Sequence, residues 1–166
     1  MFQDFQPYYL SAAENVWIAA GDRVMDDEAV AEALVRSGAD FAFELPNGLR
    51  TPLGRFFEGS AELSRGQWHK LANARCFIRN APVFIMDEPS ASLDPKSEYE
   101  LYRNFAEYCE GRTSILISHR LSNVNTCDRI FCLDSGELSE SGSHRELAAA
   151  GNGYAELYGK QKAGYV

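Results

Sequence analysis

Apolar residues recur at helical spacing through most of the first 80 positions. From residue 11 to about residue 38 they return every three or four positions, which predicts helical structure. The same spacing over residues 64–79 predicts a long helix, with Ser64 as a favourable N-cap. Residues 39–62 contain several prolines and glycines and predict an irregular connector.

After position 80 the pattern changes to short apolar runs that alternate with amphipathic segments. Residues 83–86 and 114–118 predict buried strands, the first covered on both faces, and residues 96–109 predict an amphipathic helix between them. Such a unit is expected to place its strands parallel, with a right-handed crossover. The remaining predicted elements are a hairpin and two closing helices: residues 130–141, 144–150 and 154–162. The predicted fold class is therefore α/β, with a helical block before residue 80 and an α/β block after it.

The net charge of the chain limits the kinds of molecule that it is expected to bind. The chain has 166 residues, with 16 Lys and Arg against 24 Asp and Glu, so its formal net charge is −8. This acidic balance argues against nucleic-acid binding, because clustered Lys and Arg are needed to neutralise phosphates. No apolar run approaches the ~20 residues that span a bilayer. The four cysteines form no CxxC pair and are expected to be reduced thiols of an intracellular protein.

Two adjacent carboxylates follow the first predicted strand. Asp87 and Glu88 come directly after residues 83–86, and ligands of open α/β sheets lie beyond the carboxyl ends of the strands. One carboxylate there can hold a hard cation such as Mg²⁺, while the other orients or deprotonates a water. A helix-capping acidic pair is the alternative interpretation. His119 follows the second strand, so a parallel crossover would bring it to the same sheet edge as the two carboxylates.

The start of the long helix is a second candidate site. A helix N-terminus exposes free backbone N–H groups and a partial positive charge, which suit a phosphate. Ser64 adds a hydroxyl, and Gly66 removes a side chain that would block the phosphate. A plain N-cap would explain Ser64, but it would not explain a glycine in the first turn, where glycine costs about 1 kcal/mol relative to alanine.

Five short segments follow one another in a distinctive order along the chain. They are Gln3-Asp4, Leu63-Ser64-Arg65-Gly66-Gln67, Met86-Asp87-Glu88-Pro89, Ser90-Ala91-Ser92-Leu93-Asp94 and Ser118-His119-Arg120. This order resembles the nucleotide-binding domain of ATP-binding-cassette (ABC) transporters, in particular the exporter type. The segments resemble, in turn, the Q-loop, the signature motif, the Walker B strand with its catalytic glutamate, the D-loop and the H-loop. The resemblance covers nearly the whole chain and implies a partial P-loop NTPase (RecA-like) core with parallel strands, plus an all-α helical subdomain.

The resemblance implies an ATPase that uses ATP and Mg²⁺ to power transmembrane transport. Asp87 would hold Mg²⁺ through water, and Glu88 would be the general base for the attacking water. His119 would contact the γ-phosphate. Gln3 would sense that phosphate and touch the metal shell.

A composite site shared by two chains is also implied by the resemblance. Ser64, Gly66 and Gln67 would close on the γ-phosphate of a nucleotide held by a second nucleotide-binding domain, identical or homologous. Asp94 would contact the opposite subunit. The other implied partner is the transmembrane domain of the transporter, which would place the protein at the cytoplasmic face of the cell membrane.

Two features depart from the family pattern. Arg65 stands where the family more often has glycine. No segment fits the P-loop pattern GxxxxGK[ST], and the nearest spacing, which starts at Gly54, lacks the lysine. The chain therefore looks like the C-terminal portion of the domain and is expected to be inactive alone. Its expected segments are a Q-loop segment, a helical signature subdomain and the C-terminal part of the ATPase core: residues 1–10, 11–80 and 81–166.

Helix length by itself predicts two separate phosphate sites. A helix of about 16 residues starting at Ser64 is roughly 24 Å long, and Asp87 follows just after its other end. Ser64 and Asp87 would then be too far apart to grip one phosphate. If both belong to phosphate sites, they serve different nucleotides, as two chains facing head to tail would require.

The two predicted parallel strands have too few neighbours for a stable sheet. If residues 83–86 and 114–118 belong to a larger sheet, the missing strands leave unpaired edges. Unpaired edges attract other chains, so marginal stability or self-association is expected for this chain alone.

Three other functions stay open. Taken as complete, the chain would be a non-catalytic partner that presents residues 64–67 to the ATP of a full-length cassette. A chromosome-maintenance or DNA-repair ATPase head is disfavoured by the acidic balance, the exporter-like connector and the lack of coiled-coil heptads. A metal-dependent hydrolase using Asp87 and Glu88 would leave residues 63–67 and 90–94 unexplained.

Overall fold

Three helices come before the first strand. The computed structural model describes residues 5–55 and 58–164, and its first helices are α1 (Ala12–Trp17), α2 (Asp27–Arg36) and α3 (Arg65–Arg79). The prediction of helical structure over residues 11–38 is confirmed, but the segment is not one helix. A 3-10 turn follows α1, and Gly21 then adopts φ +74°, a left-handed conformation that no helix can continue through.

The connector between α2 and α3 is irregular, as predicted. It contains two short 3-10 turns, Asp40–Glu44 and Gly48–Arg50. Two isolated bridges, Ser11 with Pro52 and Leu53 with Ala61, tie it to the start of α1 and to itself. Because Leu53 is fully buried, the connector contributes to the core and is not a loose surface loop.

One parallel pair of strands follows the helices. Strand β1 (Val83–Asp87) pairs with β2 (Thr113–Ile117), and α4 (Pro95–Tyr108) lies between them in sequence. The predicted parallel strand–helix–strand unit is thereby confirmed. The register sets Asp87 opposite Ile117, so both strands end at the same level.

Only one face of this sheet is covered by the described residues. Phe84 and Met86 of β1 are buried and belong to the same core as α3 and α4. The opposite face is half exposed, with four apolar side chains between 47% and 49% accessible: Val83, Ile85, Ile115 and Ile117. The prediction that β1 is covered on both faces is therefore wrong for this part of the chain. The sequence of an all-apolar strand shows that both of its faces are apolar. It does not show whether other residues pack on both faces.

The rest of the chain forms a hairpin and two helices, as predicted. Strands β3 (Ile130–Asp134) and β4 (Glu137–Gly142) pair antiparallel, with an irregularity between Cys132 and Leu133. Helices α5 (His144–Ala150) and α6 (Gly153–Lys162) then pack on each other. The His144 imidazole and the Tyr154 hydroxyl, 2.8 Å apart, share a hydrogen bond between them.

The described residues divide into two compact units. One ends at Ile117 and the other begins at Ser118, so α1–α3 share a unit with β1, α4 and β2. The division into segments 1–10, 11–80 and 81–166 stays a prediction. All four cysteines are free, with Cys109 buried and the other three half-buried. Across residues 5–55 and 58–164, no helix is both long enough and apolar enough to span a membrane.

Candidate functional site

Ser64 caps the N-terminus of α3 through a reciprocal pair of hydrogen bonds. Its hydroxyl oxygen accepts from the Gln67 backbone N–H at 3.2 Å, and the Gln67 side-chain oxygen accepts from the Ser64 N–H at 2.9 Å. This capping box fixes the first turn and explains why α3 starts where the sequence predicts. Ser64 is exposed, so this helix end faces solvent.

Gly66 has a packing role that the sequence does not reveal. A Cβ built at this position would lie 3.0 Å from the backbone oxygen of Ser92. Close backbone approach is therefore sufficient to explain a glycine in the first turn. The glycine at position 66 thus has two explanations: the expected room for a phosphate and the close approach of the Ser92 backbone.

Asp87 and Glu88 lie at the carboxyl end of β1. Asp87 is half-buried, and the Glu88 side chain is only 9% exposed. The Glu88 backbone N–H donates to the Ile117 carbonyl at 3.0 Å, and its own carbonyl accepts from the Ala91 N–H at 3.2 Å. Glu88 has φ +48°, which is uncommon for a residue with a side chain. Such backbone strain persists only where surrounding contacts hold it, and it clusters at functional sites.

The chain folds back along α3 after β1. Asn73, in the middle of α3, donates from Nδ2 to the Pro89 carbonyl at 3.1 Å. The residues after β1 therefore lie beside the middle of the helix, not beyond its far end. Asn73 is nine residues after Ser64, about 14 Å along the axis at 1.5 Å per residue. The expectation that Asp87 lies just beyond the far end of α3 is therefore wrong, because β1 runs back alongside the helix.

Asp94 caps α4. Its carboxylate accepts from the backbone N–H groups of Lys96 and Ser97, both at 3.1 Å, and Pro95 occupies the first helical position. Hydrogen bonds from Ser97, first from its side chain and then from its backbone, lower the pKa of Asp94 to about 2. Asp94 is exposed and ionised at neutral pH, so it is available to a partner.

His119 belongs to the second unit. It is exposed in the turn after β2, and its backbone carbonyl accepts from Gln161 Nε2 at 2.6 Å. Gln161 Oε1 accepts in turn from the Leu121 N–H at 2.8 Å. One side chain of α6 therefore holds the backbone on both sides of Arg120. That His119 meets Asp87 and Glu88 stays a prediction, and Gln3 lies outside the described residues.

Among the described residues, neither a metal-ligand cluster nor the cleft between the helix ends lies at the predicted site. In the part of the chain that the structure describes, no group of three or more His, Cys, Asp or Glu side chains could hold a metal ion. A cleft of about 650 Å³ lies at the C-terminal ends of α2, α3 and α4, where its walls include Arg36, Asn80 and Tyr108. No predicted site residue lines this cleft, so it carries no support for the predicted chemistry.

Sequence reasoning missed three polar contacts near the site residues. Asn73 binds the Pro89 carbonyl, Lys70 Nζ donates to Ser97 Oγ at 2.9 Å, and Gln161 holds the turn at His119. The sequence does contain a signal for the first of these contacts. Asn73 is a polar residue among the apolar positions of α3, and it is fully buried.

The known proteins that are similar to this chain belong to one family. No family model matches this chain. The ATP-dependent lipid A-core flippase of Bordetella avium (strain 197N) is 44% identical over 160 residues, which cover 96% of this chain and 26% of that protein. The nisin transport ATP-binding protein NisT of Lactococcus lactis subsp. lactis is 38% identical over 160 residues, covering 95% and 26%.

A solved structure agrees with these relatives. The structure of a bacterial Atm1-family ABC exporter with ATP bound matches 96% of this chain with a TM-score of 0.85 and 32% identity. The chain belongs to the ABC exporter family. It spans about a quarter of the length of the exporter relatives it matches. The match bears out the expected fold class, a partial P-loop NTPase core with a helical subdomain.

Proposed function

We propose that this chain is the ATP-binding and ATP-hydrolysing part of an ABC exporter and acts through a head-to-tail composite ATP site. The similarity to exporters over 96% of the chain carries the proposal, because a match of this length includes the four motif-like segments between residues 63 and 120. The names of the relatives describe a lipid A-core flippase and a nisin transport protein. The cargo of this chain is left open.

The N-terminus of α3 is the phosphate-binding element of the proposal. Ser64 and Gln67 lie at an accessible helix end, whose free N–H groups and partial positive charge favour an anion. In the capping box the Ser64 oxygen accepts from Gln67, so its hydroxyl proton is still able to donate to a phosphate oxygen. These residues, with Gly66, close on the γ-phosphate of a nucleotide held by the second nucleotide-binding domain.

The end of β1 supplies the carboxylates. Mg²⁺ usually binds one or two protein carboxylates together with substrate phosphates and waters, and Asp87 and Glu88 are two adjacent carboxylates. When bound, Mg²⁺ neutralises the charge that develops on the phosphates. Asp87 would hold the ion through water, and Glu88 would accept the proton of the attacking water. His119 contacts the γ-phosphate, and Gln3 senses it.

The spacing of these two ends supports a composite site. Ser64 lies about 14 Å along α3 from the residue that contacts Pro89, and a direct phosphate contact reaches only about 3 Å. We infer that the signature end and the carboxylate end of one chain serve different nucleotides. A second nucleotide-binding domain, identical or homologous, completes each site.

The membrane partner of the proposal is the transmembrane domain of the exporter. The chain spans about a quarter of its relatives, so the remaining length of an exporter has room for such a domain. Docking on it places this chain at the cytoplasmic face of the membrane. No nucleic-acid partner is proposed, because the net charge is −8.

The test is ATP turnover by the transporter assembly that contains this chain. Glu88→Gln should lower kcat about 100-fold or more while ATP still binds, since it removes only the proton acceptor. Glu137→Gln, an exposed position in the hairpin, is the matched control and should turn over ATP like the wild type. Wild-type assembly without turnover, or full turnover by Glu88→Gln, would contradict the proposal.

A non-catalytic cassette partner is the second candidate. The Ser64 end of α3 is exposed, and its capping box is complete. In this role the chain presents its signature segment to the ATP of a full-length cassette. Ser64→Arg should then abolish ATP-dependent co-purification with that cassette, and Ser60→Arg in the connector should not. Absence of association for the wild-type chain in the presence of ATP would contradict this role.

A further inference from the structure

One face of α3 contacts the segment that follows β1 at three positions. Gly66, Lys70 and Asn73 lie four and three positions apart, so they form one stripe along the helix. Gly66 approaches the Ser92 backbone, Lys70 donates to Ser97, and Asn73 donates to the Pro89 carbonyl. The stripe therefore connects the signature end of the chain with the segment that carries Glu88 and Asp94.

The contact at Asn73 lies next to the strained residue. Asn73 is fully buried, Pro89 is under 2% exposed, and Pro89 directly follows Glu88 with its φ of +48°. The two backbone bonds of Glu88, to Ile117 and from Ala91, hold the peptide groups on either side of it. The amide of Asn73 is the side-chain donor that fixes the next carbonyl along the chain.

The chemistry of the amide fixes its orientation. A carbonyl can only accept a hydrogen bond, so Nδ2 must face Pro89 and Oδ1 must point away from it. Asn73 Oδ1 is buried and has no hydrogen-bond partner, which costs stability. An apolar side chain of the same size would remove that cost, but it would leave the buried Pro89 carbonyl without this donor. The amide is therefore matched to the Pro89 carbonyl.

We propose that Asn73 is a positioning residue for Glu88. Its amide holds the Pro89 carbonyl, and this contact keeps the Glu88 backbone in the left-handed conformation that aims the carboxylate. The role of Glu88 as the proton acceptor rests on the proposed function. The contact itself belongs to this chain and is measurable without nucleotide.

Amide hydrogen exchange of the chain tests the contact. Asn73→Leu should speed exchange at the Glu88 and Ala91 amides roughly five- to tenfold, while the amides of α2 exchange as in the wild type. Lys70→Ala is the matched control, because it removes a contact of the same stripe and should leave Glu88 and Ala91 unchanged. Asn73→Ala should repeat the effect if leucine disturbs the packing. Unchanged exchange at Glu88 and Ala91, or equal acceleration throughout α1, α2 and α3, would overturn the proposal.

Kinetics of the ATP-hydrolysing assembly separate positioning from plain stability. Asn73→Leu should lower kcat about tenfold or more with KM unchanged, because a misplaced base slows the chemical step and not nucleotide binding. Wild-type kcat in this variant would overturn the positioning role. If the wild-type assembly itself lacks turnover, the proposed function fails, and the exchange experiment alone decides whether Asn73 orders the Glu88 backbone.

Discussion

Gly66 lies so close to the Ser92 carbonyl that a Cβ at position 66 would be 3.0 Å from that oxygen. Real Cβ atoms rarely come this near another atom, and a backbone carbonyl cannot swing aside as the end of a side chain can. The first turn of α3 and the segment after Glu88 are therefore in direct backbone contact within one chain.

Gly66→Ala should destabilise the first unit by about 1 kcal/mol, because overpacking outweighs the gain in helix propensity. Gly159→Ala is the matched control, since Gly159 lies inside α6 with no neighbour within 4 Å of a built Cβ. That change should stabilise the second unit by about 0.5–1 kcal/mol. Urea unfolding followed by residue-resolved NMR measures each unit separately. Equal stabilisation by the two variants would show that the contact with Ser92 is easily relieved.

His69 should make the first unit less stable as the pH falls below about 6.5. Its side chain is 1% exposed and neither ring nitrogen has a hydrogen-bond partner. Burial, and secondarily the charge of Arg65, lower the pKa of His69 below 6.5. The unfolded chain then binds a proton that the folded chain does not, so stability falls by at most about 1.4 kcal/mol per pH unit.

Unfolding of the wild type and His69→Gln, compared between pH 8 and pH 5, isolates this contribution. Above pH 6.5 the difference between the two proteins should be constant, since His69 is neutral in both states. Below it, the wild type should lose stability faster than the variant. Parallel curves throughout would mean that His69 gains a partner on protonation.

The α4 cap should weaken in acid through Asp94. Its pKa is lowered to about 2, so the stability that its carboxylate contributes is fully present above about pH 4 and is lost as the pH falls toward 2. Asp94→Ser keeps a capping oxygen without a titrating group, and Asp94→Ala removes the cap. The thermal midpoint of Asp94→Ala should be below that of the wild type at pH 7. The two midpoints should converge near pH 2, whereas the Asp94→Ser midpoint should not show this added pH dependence.

The uncovered face of the parallel sheet should drive self-association of the chain alone. Ile85→Lys places a charge in the centre of that face and should shift the chain toward monomer in sedimentation velocity. Val35→Lys is the matched control, because Val35 is 52% exposed on α2, away from the sheet. A wild-type chain that sediments as a single monomeric species would contradict the expected self-association.

Local signals in the sequence were enough to predict most of the elements. Ser64 marked the start of α3 because a capping box acts within four residues, and the strand–helix–strand order predicted the parallel pairing of β1 and β2. Contacts between segments that are far apart in the sequence could not be predicted from such local signals. The path of β1 back along α3 depends on how the core packs. It places Pro89 beside Asn73, about 14 Å along the helix from Ser64, and not beyond the far end of the helix.

The candidate site shows the same limit at the level of single residues. Gly66 was interpreted as room for a phosphate, because nothing in the sequence reveals that Ser92 lies against it. Asn73 is conspicuous as a polar residue in an apolar register, but its partner Pro89 is 16 positions away. The arrangement of Asp87, Glu88 and His119 around a nucleotide stays a prediction.

The two hydrogen bonds of the Gln161 side chain make the backbone conformation around His119 dependent on α6. One amide holds the backbone before and after Arg120, so the shape of that turn is decided more than 40 positions downstream. A substitution at Gln161 is therefore expected to change the backbone around His119 while leaving all five motif-like segments unchanged in sequence. Variants in α6 deserve the same assays as variants of the proposed nucleotide site.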